Sequence, residues 1–205
     1  GEHEDEHEEG EHEDEHEEGE HDHHDHSGGD PHTWMIPSNV MTWTHNIAES
    51  LATLDPANAE AFEAGEEAYE AELAELEAYV QEQVALIDES ARKIVTNHDA
   101  FGYFADRYGF EVIGTVIPSQ STMAEPSASD LADLIEVMEE EGVTVIFTET
   151  TVSDSLARTV ADEIGSEVQV LVLFTGALGG PGSGAETYID MIRFNVDQFV
   201  AGLAS

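Results

Sequence analysis

KIVTNHDAFGYFADRYGFEVIGTVIP (93–118) decides the fold: a β-branched run of strand length (93–97), a short helical pattern (99–108), then a second such run (111–118). The same alternation continues with VTVIFTE (143–149), a helical pattern over 129–141 before it and another over 153–164 after it, VQVLVLF (168–174), and a last helix over 184–203. Strand and helix in strict alternation imply right-handed crossovers and a parallel sheet covered on both faces. The class is therefore α/β, with a four-stranded parallel sheet and helices on both faces.

Upstream the periodicity changes to that of helices. Val40, Trp43, Ile47, Leu51 and Leu54 recur at threes and fours and predict an amphipathic helix over 38–54, ended by Asp55-Pro56. A second pattern runs without proline from about Ala57 to Ile87, with Phe62, Tyr69, Leu73, Leu76, Val80, Val84 and Ile87 on its apolar side. About thirty residues rising 1.5 Å each predict a rod of roughly 45 Å, long enough to span a domain or join two. Four segments follow from this texture: 1–29, 30–56, 57–91 and 92–205.

The first segment cannot fold alone. GEHEDEHEE occurs twice in tandem and then begins again, and residues 1–26 contain no large apolar side chain and no lysine or arginine. His3, His7, His12, His16, His21, His23, His24 and His26 lie among Asp and Glu, a ligand set suited to zinc, copper and nickel. With nothing to bury and adjacent carboxylates repelling, ordering has no compensating term, so a disordered metal collector is expected in the metal-free state. The bland alternative is an acidic solubilising tail.

Charge narrows the partners. The 205 residues hold 47 acids, five bases and 11 histidines, for a formal net charge of −42. Residues 1–30 carry sixteen of those acids, so the remainder is itself strongly negative. Such a field repels nucleic acid and anionic membrane surfaces, attracts cations, and destabilises the compact state unless salt screens it. A single lysine suggests a high-salt, halophilic setting as readily as an ordinary acidic bacterial surface protein. Without cysteine there is neither a disulfide framework nor a thiolate metal site, leaving His, Asp, Glu or water as ligands. The chain opens on glycine within a repeat, shows no signal peptide and no apolar run long enough to span a bilayer, and reads as the C-terminal part of a longer protein.

In parallel sheets ligands bind beyond the carboxyl ends of the strands. The residues there are Asn97 and His98, Ser119 and Gln120, Glu149 and Thr150, and Thr175 and Gly176. His98 follows a buried strand and can face a cleft while Asp99 caps the next helix. Glu149 ends an apolar run and is either a partly buried hydrogen-bonding carboxylate or a metal ligand. His32 lies in Asp30-Pro31-His32-Thr33-Trp34, where the proline fixes the approach and Trp34 can pack beside the ring. His45, on the first helix, reads as a surface or packing histidine. GGPGSG (179–184) lacks the Lys and Ser/Thr of a phosphate loop and reads as a flexible loop before a helix. No nucleophile elbow, HExxH or paired-carboxylate pattern appears, so an enzyme is not expected; a three-histidine zinc hydrolase would need a general base that is not evident.

DPHTW (30–34), the long helix, VTNHDAFGYFADRYGF (95–110), FTETTV (147–152) and GAETYIDMIRFNVDQF (184–199) together resemble the C-terminal half of the zinc and manganese ABC-transporter receptors, which include ZnuA-like proteins and streptococcal-type adhesins. The resemblance implies two α/β lobes joined by one rigid helix, with metal in the cleft between them. On that pattern 1–29 is a histidine-rich loop, 30–56 a remnant of an N-terminal lobe largely missing here, 57–91 the linking helix and 92–205 the C-terminal lobe. It makes His32 and His98 cleft ligands, the latter where zinc receptors carry His and manganese receptors Glu, and makes the eight histidines of 1–26 auxiliary ligands. Two departures stand out: a further ligand histidine belongs to the absent lobe, and Gly176 occupies a position where many members place a ligand Asp.

The implied function is an extracytoplasmic receptor, periplasmic or anchored at the outer face of the cell membrane, that captures Zn²⁺ (Mn²⁺ less favoured) as a monomer and delivers it to a membrane permease and its ATPase for import. A surface adhesin or metal-buffering protein without a transport role is the alternative. Imidazole ligands must be neutral to bind, so affinity should fall as pH drops through about 6.5, the ordinary imidazole value.

Overall fold

The computed structural model describes residues 29–165 and 167–204; the histidine-rich stretch, with its eight candidate auxiliary ligands, lies outside them. A four-stranded sheet is built from β1 (Lys93–His98), β2 (Glu111–Ile117), β3 (Val145–Glu149) and β4 (Gln169–Leu173), in the spatial order β2-β1-β3-β4 with every neighbouring pair parallel. Among the described residues six α-helices accompany it: α1 (Pro37–Leu54), α2 (Ala59–Val84), α3 (Gly102–Tyr108), α4 (Ala128–Glu141), α5 (Ser155–Ile164) and α6 (Tyr188–Leu203).

Side chains alternate across each strand, so adjacent apolar residues enter opposite layers. Ile94 and Phe147 face a core shared with Leu73, Leu76 and Val80 of α2, Phe104 of α3, and Val196 and Phe199 of α6. Val95 and Ile146 face a second core with Leu134 and Met138 of α4 and Val160 of α5. Continuous β-branched runs, rather than alternating ones, are what a sheet buried on both faces requires. Between Ile94 and Val95 the register with β2 slips by one residue, from Val112 to Gly114. Gly114 suits that bulge because a Cβ there would stand only 2.5 Å from Leu134 Cδ1 on α4.

The connection from β1 leads to β2 on one side, whereas β3 returns to the other side of β1. The strand order therefore reverses between β1 and β3, the place where open α/β sheets form a crevice. His98 ends β1 and Glu149 ends β3, so both side chains fall at that crevice.

Some element boundaries differ from the sequence expectation. The long helix covers 26 residues, about 39 Å at 1.5 Å per residue, because a 3-10 turn over Pro56–Asn58 precedes it and Ala85, Leu86 and Ile87 leave it through turn hydrogen bonds. Asp99 does not cap α3. The chain first buries Ala100 and Phe101, the helix begins at Gly102, and Asp99 Oδ1 is buried with no hydrogen-bond partner among the described residues. Gly109, at φ +73°, ends α3 in the left-handed conformation. The final helix starts at Tyr188, where Thr187 accepts a hydrogen bond from the Asp190 amide; the glycine-rich stretch before it is pinned by bonds such as Gly179 N–H to Ala185 C=O at 2.8 Å.

The apolar stripe of α1 is more open than expected: Trp43, Ile47, Leu51 and Leu54 are exposed, and Ala48 is the buried position beside α2. His45 is a surface residue whose Nδ1 pairs with Glu66 of α2 at 2.7 Å. Further down α2, Glu77 accepts hydrogen bonds from Arg107 at 2.8 Å and from the Tyr108 hydroxyl at 2.6 Å, tying this helix to α3.

Candidate metal centre

His32 and His98 meet at the crevice. Their Nε2 atoms stand 3.2 Å apart and their ring centroids 5.1 Å apart, and both side chains are nearly inaccessible. The approach of His32 is set locally. Asp30 Oδ1 accepts both the His32 backbone N–H at 2.9 Å and the Nδ1–H at 2.7 Å, closing a turn around Pro31 before a 3-10 turn over Thr33–Met35. Met35 is fully buried and anchors that turn to the core.

His98 is set by the sheet. Its Nδ1 bonds Glu149 Oε1 across the β1–β3 junction, and Glu149 Oε2 accepts the hydroxyls of Thr175 and, at 3.1 Å, Thr151. Burial pushes the Glu149 carboxyl up, but the hydrogen bonds from His98, Thr175 and Thr151 outweigh it and hold the group below the usual carboxylate range. An ionised carboxylate only accepts hydrogen bonds, so a neutral imidazole facing one through Nδ1 places its proton there and leaves the Nε2 lone pair toward the other ring.

Two lone pairs at 3.2 Å repel unless a cation or proton lies between them. Two nitrogens bound to one tetrahedral zinc at about 2.05 Å each would lie about 3.3 Å apart, so the observed spacing fits a shared ion with little movement. The carboxylate–imidazole pairs are the outer-shell arrangement that orients metal-binding histidines.

The surrounding cleft has a volume of about 440 Å³ and is lined by Trp34, Gln120, Thr122, Thr151 and Gly176 beside the two histidines. Trp34 packs edge-on against the His32 ring at 5.4 Å, and its indole N–H donates to the Thr175 carbonyl at 2.9 Å. A larger depression beside β2, about 660 Å³, shares Gln120 and Ser121 with the cleft but contains neither imidazole. At Gly176 an added Cβ would meet nothing nearer than Thr151 at 3.8 Å, so the position leaves open space without a donor.

Among the described residues no group of three His, Asp or Glu side chains converges on a point suited to a metal ion. Asp30 and Glu149 face Nδ1 atoms rather than the space between the rings. Glu149 thus takes the hydrogen-bonding alternative of the two its sequence left open. The Asp30 partnership and the two threonines were not singled out for these tasks by sequence. Asp30 could have been found, since Asp-Pro-His favours a side chain bonding two residues ahead.

The model of the family described as zinc-uptake complex component A, periplasmic (ZnuA), matches residues 2–202. The chain belongs to this ZnuA family. Similar proteins include the manganese-binding lipoprotein MntA of Halalkalibacterium halodurans, 38% identical over 177 residues, covering 86% of this chain and 58% of that protein. The zinc-binding protein TroA of Treponema pallidum is 34% identical over 182 residues, covering 85% of this chain and 58% of that protein. Its solved structure superposes with a TM-score of 0.79 over 86% of this chain and 64% of that one, so the ZnuA-family fold is shared. The iron-binding protein YfeA of Yersinia pestis is 32% identical over 173 residues, covering 84% of this chain and 55% of that protein. The chain thus spans somewhat over half the length of these relatives, and their names cover three different metals.

Proposed function

We propose that this ZnuA-family chain forms part of an extracytoplasmic receptor that captures zinc reversibly and delivers it to an ABC-type permease driven by an ATPase. The observation that carries the metal reading is the pair of Nε2 atoms facing each other at 3.2 Å, each backed by a carboxylate on Nδ1. His32 and His98 are the ligands contributed by the described residues, and the remaining coordination comes from water or from groups outside them.

Zinc is preferred to manganese on the donor set. Two imidazoles suit zinc, whereas manganese favours carboxylate and carbonyl oxygen, and here both neighbouring carboxylates are engaged on Nδ1. His3, His7, His12, His16, His21, His23, His24 and His26 form a second, auxiliary set that collects zinc ahead of the cleft; residues 57–91 link two lobes, and 92–205 form the second lobe. The reading is of a monomer without enzymatic activity. No helix among the described residues is long and apolar enough to cross a membrane.

The test is a titration of zinc and manganese into the full-length protein, with and without residues 1–26 and again with His98→Ala. Tight zinc binding that survives the deletion and is lost in His98→Ala supports the cleft. Binding abolished by the deletion and untouched by His98→Ala overturns it in favour of a metal buffer that works through its histidine-rich segment.

A further inference from the structure

We propose that Thr175, two residues past the end of β4, is a positioning residue that couples the two histidines by holding Glu149, the hydrogen-bond partner of His98, and Trp34, the ring packed against His32. The inference rests on the zinc-receptor reading for its consequence, though its geometry stands without metal.

Thr175 is 3% exposed and uses both of its oxygens. Its hydroxyl donates to Glu149 Oε2, whose other oxygen accepts His98 Nδ1. Its carbonyl accepts the Trp34 indole N–H at 2.9 Å, and that indole packs against the His32 ring. One residue thereby touches the support of His98 through its side chain and the support of His32 through its main chain. Thr151 shares only the first task, since it donates to Glu149 Oε2 and has no bond to Trp34.

The position of Thr175 is itself fixed from behind. The buried Asn195 side chain of α6 accepts from Phe174 N–H at 2.8 Å and donates to Phe174 C=O at 2.6 Å, clamping the preceding residue in both directions. Tyr188, also on α6, donates its hydroxyl to the Trp34 carbonyl at 2.9 Å. Helix α6 therefore holds both ends of the Trp34–Thr175 link. A displacement of the β4 end would move both imidazole supports together, changing the spacing of the two Nε2 atoms, which is the quantity on which shared coordination depends.

The experiment compares Thr175→Val, Thr175→Ala, Thr175→Ser and Thr151→Val in the full-length protein. Nitrogen NMR of the histidine rings and hydrogen exchange of the Trp34 indole are read without metal, and zinc affinity is read separately. Thr175→Val and Thr175→Ala keep the carbonyl but remove the hydroxyl that anchors this segment to Glu149, so they should disturb the His98 ring signals and, by letting the main chain at 175 shift, speed indole exchange together, and should weaken zinc binding about 10- to 100-fold. Thr175→Ser should restore wild-type behaviour, and Thr151→Val should alter the His98 signals alone. Identical patterns for Thr175→Val and Thr151→Val, or an indole unmoved in both Thr175→Val and Thr175→Ala, overturn the coupling. If wild-type protein binds no zinc while the ring and indole signals move together, the receptor reading fails and the coupling stands.

Discussion

His32 Nε2 and His98 Nε2 lie 3.2 Å apart although 66 residues of chain separate them. The first reaches the crevice through a turn closed by Asp30, the second through the end of β1, and α2 lies between them in sequence without contributing a side chain to the cleft. Removing either ring leaves a single imidazole at the cleft among the described residues. His32→Ala and His98→Ala should each weaken zinc binding by about 100-fold or more, a loss of roughly 3 kcal/mol from one ligand. Competition against a chelator of known affinity checks it; a change under threefold in both variants would remove the shared site.

Asp30 and Glu149 fix which nitrogen of each ring is free. Asp30→Asn replaces a pure acceptor with a group that can also donate, so the His32 proton is no longer confined to Nδ1. The expected result is zinc affinity lowered about 10- to 100-fold with the fold retained. Nitrogen shifts of the His32 ring in metal-free protein should show a mixed tautomer; an unmixed Nδ1–H form in that variant would count against the role assigned to Asp30.

The four strands and the helices between them were legible because each strand is a β-branched run buried on both faces, a pattern that owes little to distant contacts. His32 and His98 were legible as candidates through their segments. Their contact was not, since it depends on where the order of strands reverses and on how the Asp30 turn seats against the sheet. The helix start after β1 was misplaced for a related reason: Asp99 has the chemistry of a cap, but burying Phe101 beneath the sheet takes precedence over an early helix. The tasks of Thr151 and Thr175 could not be read from sequence, because a threonine at a strand end carries no sign of which carboxylate it will face.

The aromatic core should dominate stability. Phe199 of α6 packs on Phe101, Phe104, Phe110 and Phe147 with centroid separations of 4.8 to 5.5 Å and is fully buried. Phe199→Ala should cost about 3–5 kcal/mol, combining lost transfer energy with a cavity that the sheet cannot close. Urea denaturation of the metal-free protein measures it, and a loss under 1 kcal/mol would contradict the packing described.

All five basic side chains are engaged: Lys93 with Glu141, Arg107 with Glu77, Arg158 with Asp154, Arg92 on the Ile87 carbonyl, and Arg193 over the Tyr79 ring. The large excess of carboxylates is left to repel itself. Raising potassium chloride from 0.1 to 2 M should therefore raise the melting temperature by several degrees, about 5 °C or more, as the Debye length falls from about 10 Å to below 3 Å. A melting temperature that is flat or falls with chloride would show that self-repulsion is not a significant cost in this fold.

Glu77 gives that charge balance a pH dependence whose sign can be worked out. Burial pushes its carboxyl up, but hydrogen bonds from Tyr108, Arg107 and Gln81, with the Arg107 charge, outweigh burial and leave it below its ordinary value of 4.5. A group with a depressed folded-state value contributes its full stability above the unfolded value and loses it as pH falls through the folded one. The α2–α3 tie should thus be intact at pH 7 and weaken below about 4.5. Glu77→Gln should destabilise the protein by about 1–2 kcal/mol at pH 7, the range for hydrogen bonds to a charged group. The difference from wild type should shrink as pH falls through the lowered folded-state value, where wild-type Glu77 also becomes neutral. Parallel urea curves at pH 7 and pH 3 decide it: an equal difference at both pH values would show that Glu77 acts through shape rather than charge.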